Sequence, residues 1–221
     1  TATVALLDNL TSTLYIANVG DSPAILYDGA IKELSRNHFP VKDEKKRIKK
    51  LGGVIYGGRV GGKLAITRSL GDLDLKWKGD AHLPGPSGRS EIESIDLTRY
   101  MVSPLPYVAI RTLKSKPMQF LIIAADGIIG TSALQAKEAV KIVKKELGAG
   151  RSAKQAADAL LEYARIVPKN RDDKSVIIIV FGDTQLSQSH LARHYELREN
   201  VSAGDVNYFN YDDYLKNPTL R

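Results

Sequence analysis

Residues 119–127 read QFLIIAADG, an apolar run that ends abruptly at Asp126 and Gly127. A continuous apolar run of this length, bounded by a turn signal, is typical of a strand that is buried on both faces. A carboxylate at the tip of such a strand costs several kcal/mol to desolvate unless a cation or hydrogen-bond donors compensate its charge. Asp126 is therefore either a ligand of a divalent ion or a turn-forming aspartate, which is common before glycine.

Two further apolar runs accompany this stretch, one at residues 106–110 and one at residues 175–181, SVIIIVF. The absence of period-two alternation predicts that they too are buried strands. Residues 119–125 and 175–181 are expected to lie centrally between a sheet and helices. Ile122, Ile177 and Ile179 should then be nearly inaccessible to solvent.

The first 27 residues alternate strand-like segments with turn signals. Asp8-Asn9 and Gly20-Asp21 separate β-branched and apolar stretches, which predicts an antiparallel meander over residues 1–7, 13–19 and 24–27. Short strands are predicted near residues 54–56 and 64–67. The proline- and glycine-containing stretch 77–103 is predicted to be a long surface loop.

Three helices are predicted from apolar periodicity and from their end signals. They cover residues 43–51, which Gly52-Gly53 terminates, residues 136–147, and residues 152 to about 166. Ser152 and Gln155 have the spacing of a capping box at the start of the third helix. Strands followed by helices and a last strand indicate an α+β fold in layers.

Composition excludes several classes of function. The chain of 221 residues has no apolar run near the length of a membrane span and no visible targeting leader, so an intracellular location is expected. It contains no cysteine, so a metal site would be built from oxygen ligands and suit a hard cation. The net charge of +7 is spread through amphipathic helices, which indicates a solvated basic surface rather than nucleic-acid binding.

Three aspartates follow apolar stretches at turns: Asp21, Asp126 and Asp172. Around them the sequence resembles the type 2C family of metal-dependent protein serine/threonine phosphatases. Six sequence blocks resemble motifs of that family and occur in the same order, at residues 14–22, 34–53, 59–72, 104–107, 120–127 and 171–176. The blocks include ANVGDS around Asp21, AADG around Asp126 and RDDKSV around Asp172.

The resemblance implies an antiparallel β-sandwich flanked by helices, with two Mg²⁺ or Mn²⁺ ions bound at one edge. It implies that Asp126 and Asp172 are metal ligands and that Asp21 occupies a position associated with a third, weaker metal. The implied activity is hydrolysis of phosphoserine and phosphothreonine in a phosphoprotein substrate by a metal-activated water.

The sequence also departs from the family pattern. Residues 1–221 contain no counterpart of the family's N-terminal part, with its phosphate-binding arginine and Asp-Gly-His-Gly-Gly motif, so the domain is expected to be incomplete at the N-terminus. Gly130 stands where the family usually has a further aspartate and Ile129 where it has tryptophan. Pro23 replaces an arginine and Asp173 an asparagine.

Two hypotheses follow from these matches and departures. The chain is either part of an active phosphatase whose missing portion is supplied, or a pseudophosphatase that serves as a binding, regulatory or structural subunit and has lost metal ions or binds fewer of them. In both cases the isolated chain is expected to be inactive, and no catalytic residue is assigned. Residues 1–183 are predicted to form the phosphatase-like domain. Residues 184–221 are predicted to form an extension that contacts its own domain or another chain.

The remaining polar candidates have simpler interpretations. His38 is expected to have a structural or surface role, and His82, His190 and His194 have no partner at ligand spacing. Arg68 and Asp72 are expected to shape a loop near the catalytic edge through a salt bridge or a turn.

Overall fold

A computed structural model describes residues 1–76, 100–130, 133–166 and 172–182 of the chain. All of them except Gly182 belong to one compact unit, Thr1–His82 with Asp96–Phe181. Within the described residues, two antiparallel sheets and a two-stranded hairpin are combined with three α-helices and one 3₁₀ turn. This is the α+β architecture that the sequence predicts. The predicted extension, residues 184–221, lies outside the described residues.

The first sheet contains three strands in the order β1 (Ala2–Asp8), β2 (Thr13–Val19) and β7 (Tyr107–Thr112). All neighbours are antiparallel. Ile16 lies opposite Ala5 on one side and Ala109 on the other, so these three side chains share the face that packs into the core.

The second sheet contains four strands in the order β4 (Ile31–Glu33), β3 (Ala24–Tyr27), β8 (Gln119–Ala124) and β9 (Val176–Phe181). Its neighbours are also antiparallel. A separate hairpin pairs β5 (Ile55–Tyr56) with β6 (Arg59–Val60).

The two sheets pack face to face. Leu14 and Ile16 from β2 meet Leu26 from β3 and Leu121 from β8 in one buried cluster, with each side chain at most 1% exposed. Successive side chains on a strand point to opposite faces. The alternate side chains of β3 and β8 therefore face away from the first sheet and can pack against a further layer.

That further layer consists of two helices, α2 (Ala136–Gly148) and α3 (Ala153–Arg165). Their apolar stripes cover Phe120 and Ile122, which are fully buried. The predicted capping box of α3 is confirmed, since Gln155 N–H donates to the Ser152 hydroxyl and the Gln155 side chain accepts from Ser152 N–H. The remaining elements are α1 (Lys42–Lys50) and a 3₁₀ turn at Leu73–Leu75.

Several sequence predictions are wrong in detail. The predicted meander is divided, because the chain leaves the first sheet after β2 and enters the second at β3. Residues 64–67 form no strand, and only Leu64 makes an isolated bridge, to Val60. The short β4 was not predicted. Most of the predicted loop 77–103 lies outside the described residues.

The predicted burial of β9 is also wrong. Ile122 is inaccessible, but Ile177 is 58% exposed and Ile179 38% exposed, because β9 is the outermost strand of its sheet. The strand β7 is likewise an edge strand and exposes Val108 and Ile110. A run of apolar residues indicates that both faces can be buried, but burial also requires a neighbour on each side. No helix among the described residues is long and apolar enough to cross a membrane.

Candidate functional site

Asp21 lies where the chain passes from the first sheet to the second. Gly20, just before it, has a backbone φ of +100°, which favours glycine. A Cβ atom on Gly20 would also lie 2.3 Å from Cγ2 of Thr1. The Ser22 carbonyl accepts a hydrogen bond of 2.6 Å from the Thr3 hydroxyl. The turn that carries Asp21 is therefore fixed both by its own backbone and by β1.

A second set of contacts fixes the same turn from the opposite side. Gly20 N–H donates to Nδ1 of the buried His38 at 3.1 Å, and His38 N–H donates to the Gly20 carbonyl at 3.1 Å. Asn18, also buried, donates to the Arg36 carbonyl and accepts from Arg36 N–H, each at 2.9 Å. The structural role expected for His38 is confirmed. The role of Asn18 in fixing the turn was not predicted, although Asn18 belongs to the ANVGDS block that resembles a family motif.

Asp126 follows the last residues of β8. Ala124 N–H donates to the Pro23 carbonyl at 3.1 Å, which ties this strand end to the segment after Asp21. Ala125 N–H donates to the Ser175 carbonyl at 2.9 Å, which ties it to the segment before β9. The segment that carries Asp126 is thus hydrogen-bonded on one side to the segment after Asp21 and on the other side to the segment after Asp172.

Asp172 lies in the segment that leads into β9, next to the turn that carries Asp126. A Cβ atom on Gly127 would lie 2.2 Å from the Asp173 carbonyl oxygen and 3.2 Å from Cβ of Asp172. Asp172 Oδ1 accepts a hydrogen bond from Asp173 N–H at 2.9 Å. The two segments are therefore in direct contact, as expected for the ends of adjacent strands.

The charges of Asp126 and Asp172 act on Asp21. Burial raises the pKa of Asp21 above its ordinary value, and the negative charges of Asp126 and Asp172 raise it further. Together with the backbone contacts between their three segments, this brings the three predicted site residues to the same edge of the sandwich. A concentration of carboxylate oxygens there is chemically suited to a hard divalent cation.

Carboxylate oxygens are the type of ligand that such a cation prefers, but the described residues provide too few of them. Among the described residues there is no group of three or more histidine, aspartate or glutamate side chains that could hold a metal ion. Gly130 contributes no carboxylate where the family usually has one. A Cβ atom on Gly130 would lie 2.6 Å from the Asp126 carbonyl oxygen, so the present backbone leaves no room for a side chain there.

A partly buried ionic network is joined by hydrogen bonds to the turn that carries Asp21. Glu44, on α1, accepts from Arg47 at 2.8 Å and from Arg68 at 2.9 Å. Burial by itself would raise the pKa of Glu44, but the hydrogen bonds that its carboxylate accepts, first from Arg47 and then from Arg68, lower the pKa to about 2. The salt bridge expected for Arg68 is confirmed, whereas the central position of Glu44 was not predicted.

The network reaches the Asp21 turn through Thr67 and His38. Both the N–H and the hydroxyl of Thr67 donate to the His38 carbonyl, at 2.7 and 2.9 Å. Burial, followed by the positive charge of Arg68, lowers the pKa of His38. Asp72 has a left-handed backbone with φ of 56° and precedes the 3₁₀ turn, so its role is in the turn. His82, His190 and His194 lie outside the described residues.

Comparison with known proteins agrees with this arrangement. The sequence profile described as protein phosphatase 2C matches residues 1–172. The chain belongs to the protein phosphatase 2C family. It is 34% identical over 164 residues to "Probable protein phosphatase 2C 5" of Paramecium tetraurelia, which covers 73% of this chain and 49% of that protein. It is 30% identical over 215 residues to "Protein phosphatase 2C 57" of Arabidopsis thaliana, covering 92% of this chain and 54% of the relative.

A solved structure supports the fold. A Toxoplasma gondii phosphatase superposes with a TM-score of 0.61 at 24% identity, over 78% of this chain and 49% of that one. The protein phosphatase 2C chain described here thus spans about half the length of these relatives.

Proposed function

We propose that this chain carries one part of the catalytic centre of a metal-dependent phosphoserine and phosphothreonine phosphatase. The observation that supports the proposal best is the position of Asp21, Asp126 and Asp172. Three separate segments, tied together by backbone hydrogen bonds, bring these carboxylates to one edge of the sandwich, and the charges of Asp126 and Asp172 raise the pKa of Asp21. Carboxylates gathered at a shared edge are an arrangement that a bound cation would stabilise.

In this proposal Asp126 and Asp172 are ligands of Mg²⁺ or Mn²⁺, and Asp21 contributes to a weaker third site. When bound, the two main ions would supply an activated water for hydrolysis of a phosphate monoester. The chain's own contribution is to hold the carboxylates in place. The Gly127 contact with Asp173 fixes the spacing between two of the segments, and His38 fixes the Asp21 turn.

The small number of ligands sets the expected activity. Two hard cations need more oxygen ligands than these aspartates provide, and phosphoryl transfer depends mainly on positioning and electrostatic stabilisation. We therefore expect the isolated chain to hydrolyse a phosphopeptide orders of magnitude more slowly than the combined domain. The combined domain is this chain together with the family's N-terminal part, which carries the phosphate-binding arginine and the Asp-Gly-His-Gly-Gly motif. The substrate is a phosphoprotein in this proposal.

Titration with Mn²⁺ and assay of phosphopeptide hydrolysis test the proposal together. The combined domain should bind Mn²⁺ and turn over substrate, and Asp126→Ala or Asp172→Ala should abolish both. Asp43→Ala is the matched control, because Asp43 is an exposed aspartate on α1 and none of the three segments at the edge contains it. Robust Mn²⁺-dependent turnover by residues 1–221 alone would show that the active site has been misplaced.

A pseudophosphatase is the second candidate, and Gly130 favours it. The close contact of Gly130 with the Asp126 carbonyl excludes a side chain from a position where the family usually has a ligand. In this alternative the chain is a protein-binding, regulatory or structural subunit. A combined domain that folds and binds a phosphopeptide but neither binds Mn²⁺ nor hydrolyses the peptide would support it.

A further inference from the structure

The strand β4 forms one edge of the second sheet, and no strand in the described part of the chain pairs with its outer side. Asp28 N–H donates to the Ala30 carbonyl directly opposite, which makes these two residues a hydrogen-bonded pair in the register of β3 with β4. Hydrogen-bonded and non-hydrogen-bonded pairs alternate along an antiparallel ladder. The backbone N–H and C=O groups of Ile31 and Glu33 therefore point away from β3, where another strand could pair with them.

A cavity of about 540 Å³ adjoins the end of β4 that lies nearest the candidate aspartates. We refer to it as the aspartate-side cavity, and its size is that of ordinary ligand pockets. Two of its lining residues contact the segment that carries Asp126: the Pro23 carbonyl accepts from Ala124 N–H, and Gly130 touches the Asp126 carbonyl. The rest of the lining combines aliphatic and polar side chains, among them Ile25, Ile129, Leu134, Glu33, Asn37 and Gln135.

Three positions at which the sequence departs from the family pattern line this cavity. Pro23, Ile129 and Gly130 stand where arginine, tryptophan and aspartate are usual. All three replacements are smaller than the usual residues, so they leave space in the cavity. Because the replacements converge there, they alter what this part of the site can accept as well as how many metal ligands it has.

A second cavity, of about 480 Å³, adjoins the opposite end of β4. It is lined by Asp28 and Lys32 from the β3–β4 hairpin and by Lys114 and Lys116 from the segment after β7. Lys32 pairs with Asp28, whereas Lys114 and Lys116 form no ion pair with a residue that the structure describes. This basic cavity therefore keeps a net positive charge, which favours carboxylate side chains.

The two cavities involve opposite faces of the sheet. Glu33, which lines the aspartate-side cavity, lies opposite Ile25, whose side chain packs against the helices. Lys32, which lines the basic cavity, lies opposite Leu26, whose side chain packs between the sheets. Successive side chains of a strand added to β4 would alternate between the same two faces. Backbone pairing at a sheet edge, with pockets for alternate side chains, is the arrangement that proteins use to bind peptides by strand addition.

We infer that β4 and its two cavities are the docking site for an extended, acidic segment of the phosphoprotein substrate. The identification of this segment as part of a substrate rests on the proposed function. The strand β4 has only 3 residues, so backbone hydrogen bonds alone would bind a peptide weakly. Most of the affinity and selectivity comes from an aliphatic side chain in the aspartate-side cavity and from acidic side chains in the basic cavity.

The register of β3 gives the spacing that such a peptide needs. Antiparallel addition, which continues the pairing within this sheet, would start the peptide at the aspartate edge and end it at the basic cavity. Along β3 from Asp21, Pro23 and Ile25 line the first cavity, and Leu26 and Asp28 follow at the level of the second. We therefore expect an aliphatic residue about two to four positions, and acidic residues about five to seven positions, C-terminal to the phosphorylated residue.

Fluorescence anisotropy of a labelled, unphosphorylated peptide measures docking on residues 1–221 in the absence of metal. The peptide carries threonine, leucine and glutamates at the spacing given above, and a reference peptide of the same composition carries its glutamates N-terminal to threonine. The first peptide should bind about tenfold more tightly, and replacing its leucine with glycine should remove about the same factor. NMR should show that the first peptide slows the amide hydrogen exchange of Ile31 and Glu33, because strand addition covers these two N–H groups.

Protein variants test each part of the docking site. Lys114→Glu combined with Lys116→Glu should weaken binding about tenfold, whereas Lys49→Glu combined with Lys50→Glu, which makes the same charge change at exposed positions of α1, should not. Ile31→Pro removes an outward N–H group without removing a hydrogen bond to β3, and it should weaken binding about fivefold relative to Ile31→Val. If thermal unfolding shows that Ile31→Pro does not fold, the lysine variants and the hydrogen exchange of the unaltered chain decide.

Four results would overturn the inference: no binding, equal binding of the two peptides, binding without slower exchange at Ile31 and Glu33, or equal loss of affinity in the two lysine double variants. Exchange that slows with protein concentration in the absence of peptide would also overturn it, because a second copy of this chain would then occupy the edge. The docking site and the proposed function can fail separately. A docked peptide whose phosphorylated form the combined domain does not hydrolyse would contradict the phosphatase proposal alone, and hydrolysis without docking would contradict this inference alone.

Discussion

Gly127 contacts the Asp173 carbonyl so closely that a Cβ atom on Gly127 would lie 2.2 Å from that oxygen. The contact joins the turn after β8 to the segment before β9, and these two segments carry Asp126 and Asp172. Backbone atoms cannot move aside as a flexible side chain can, so the separation of the two segments depends on the absence of a side chain at residue 127.

Gly127→Ala should therefore destabilise the protein by about 2 kcal/mol and move the two segments apart. Urea denaturation measures the free energy of unfolding. Gly71→Ala is the control, because a Cβ atom there meets nothing within 4 Å and the backbone has no positive φ. Equal stability of the two variants would mean that the segments separate at no cost and that the contact does not position the aspartates.

Gly130→Asp should not restore the carboxylate that the family usually has at this position. The new Cβ would lie 2.6 Å from the Asp126 carbonyl oxygen, so the turn would have to change to accept the side chain. We expect a loss of stability of about 2 kcal/mol and no gain in Mn²⁺ affinity, measured by denaturation and by calorimetry. Gly71→Asp is the control for the added charge. Tighter Mn²⁺ binding by Gly130→Asp alone would contradict this prediction.

Glu44 should give the protein a stability that depends on acid pH. Its pKa is lowered from 4.5 to about 2 in the folded state, so the folded state binds its proton less readily than the unfolded chain. The contribution is fully present above about pH 4.5 and is lost as the pH falls towards 2. Glu44→Gln should cost about 1–2 kcal/mol at neutral pH, because it leaves Arg47 and Arg68 without their carboxylate, although both side chains are partly solvated, at 24% and 25% exposed.

The measurement is the free energy of unfolding of both proteins between pH 2 and pH 7. The difference between them should be large at neutral pH and shrink through the acid range. Glu162→Gln is the matched control, since Glu162 pairs with Arg165 at the exposed surface of α3 and should change stability by less than about 0.5 kcal/mol. A pH-independent difference for Glu44→Gln would show that the carboxylate charge is not the cause.

Asp21→Asn should stabilise the metal-free protein. Burial and the charges of Asp126 and Asp172 raise the pKa of Asp21, so its ionised form is less favourable in the folded state than in the unfolded chain. This cost develops as the pH rises above 3.8 and is complete once the raised pKa has been passed. We expect a small gain in stability at pH 7, because solvent screens the repulsion at this half-buried carboxyl.

Thermal unfolding in the presence of a chelator tests this prediction. Asp43→Asn is the control, because Asp43 is exposed in the first turn of α1 and should give no increase in Tm. A lower Tm for Asp21→Asn would show that the carboxylate makes favourable contacts in the turn that exceed the repulsion.

The most reliable sequence predictions concerned local structure. The run QFLIIAADG identified β8, and the spacing of Ser152 and Gln155 identified the start of α3. These features were predictable because backbone hydrogen bonding within one segment and the burial of a continuous apolar run are properties of neighbouring residues. The order of the motif blocks also identified the family and selected Asp21, Asp126 and Asp172 as candidates.

Features that depend on distant segments were not predictable in the same way. The chain between β2 and β3 reads as an ordinary turn, yet it passes from one sheet to the other and brings Asp21 to the edge that carries Asp126. Glu44 has the surroundings of a solvated helical residue in the sequence, but Arg68, 24 residues away, makes it the centre of a partly buried ionic network.

The sequence by itself determined the α+β fold class, the main strands and helices, the family, and the three aspartates that the proposal uses. The tertiary structure alone decided that β9 is an edge strand and that Leu6 and Ile110 are exposed on the first sheet in the described part of the chain. The physical reason is that the hydrophobicity of a side chain determines only which surroundings are favourable for it. Whether Ile177 or Leu6 finds such a contact depends on which other strands and helices the chain brings beside it.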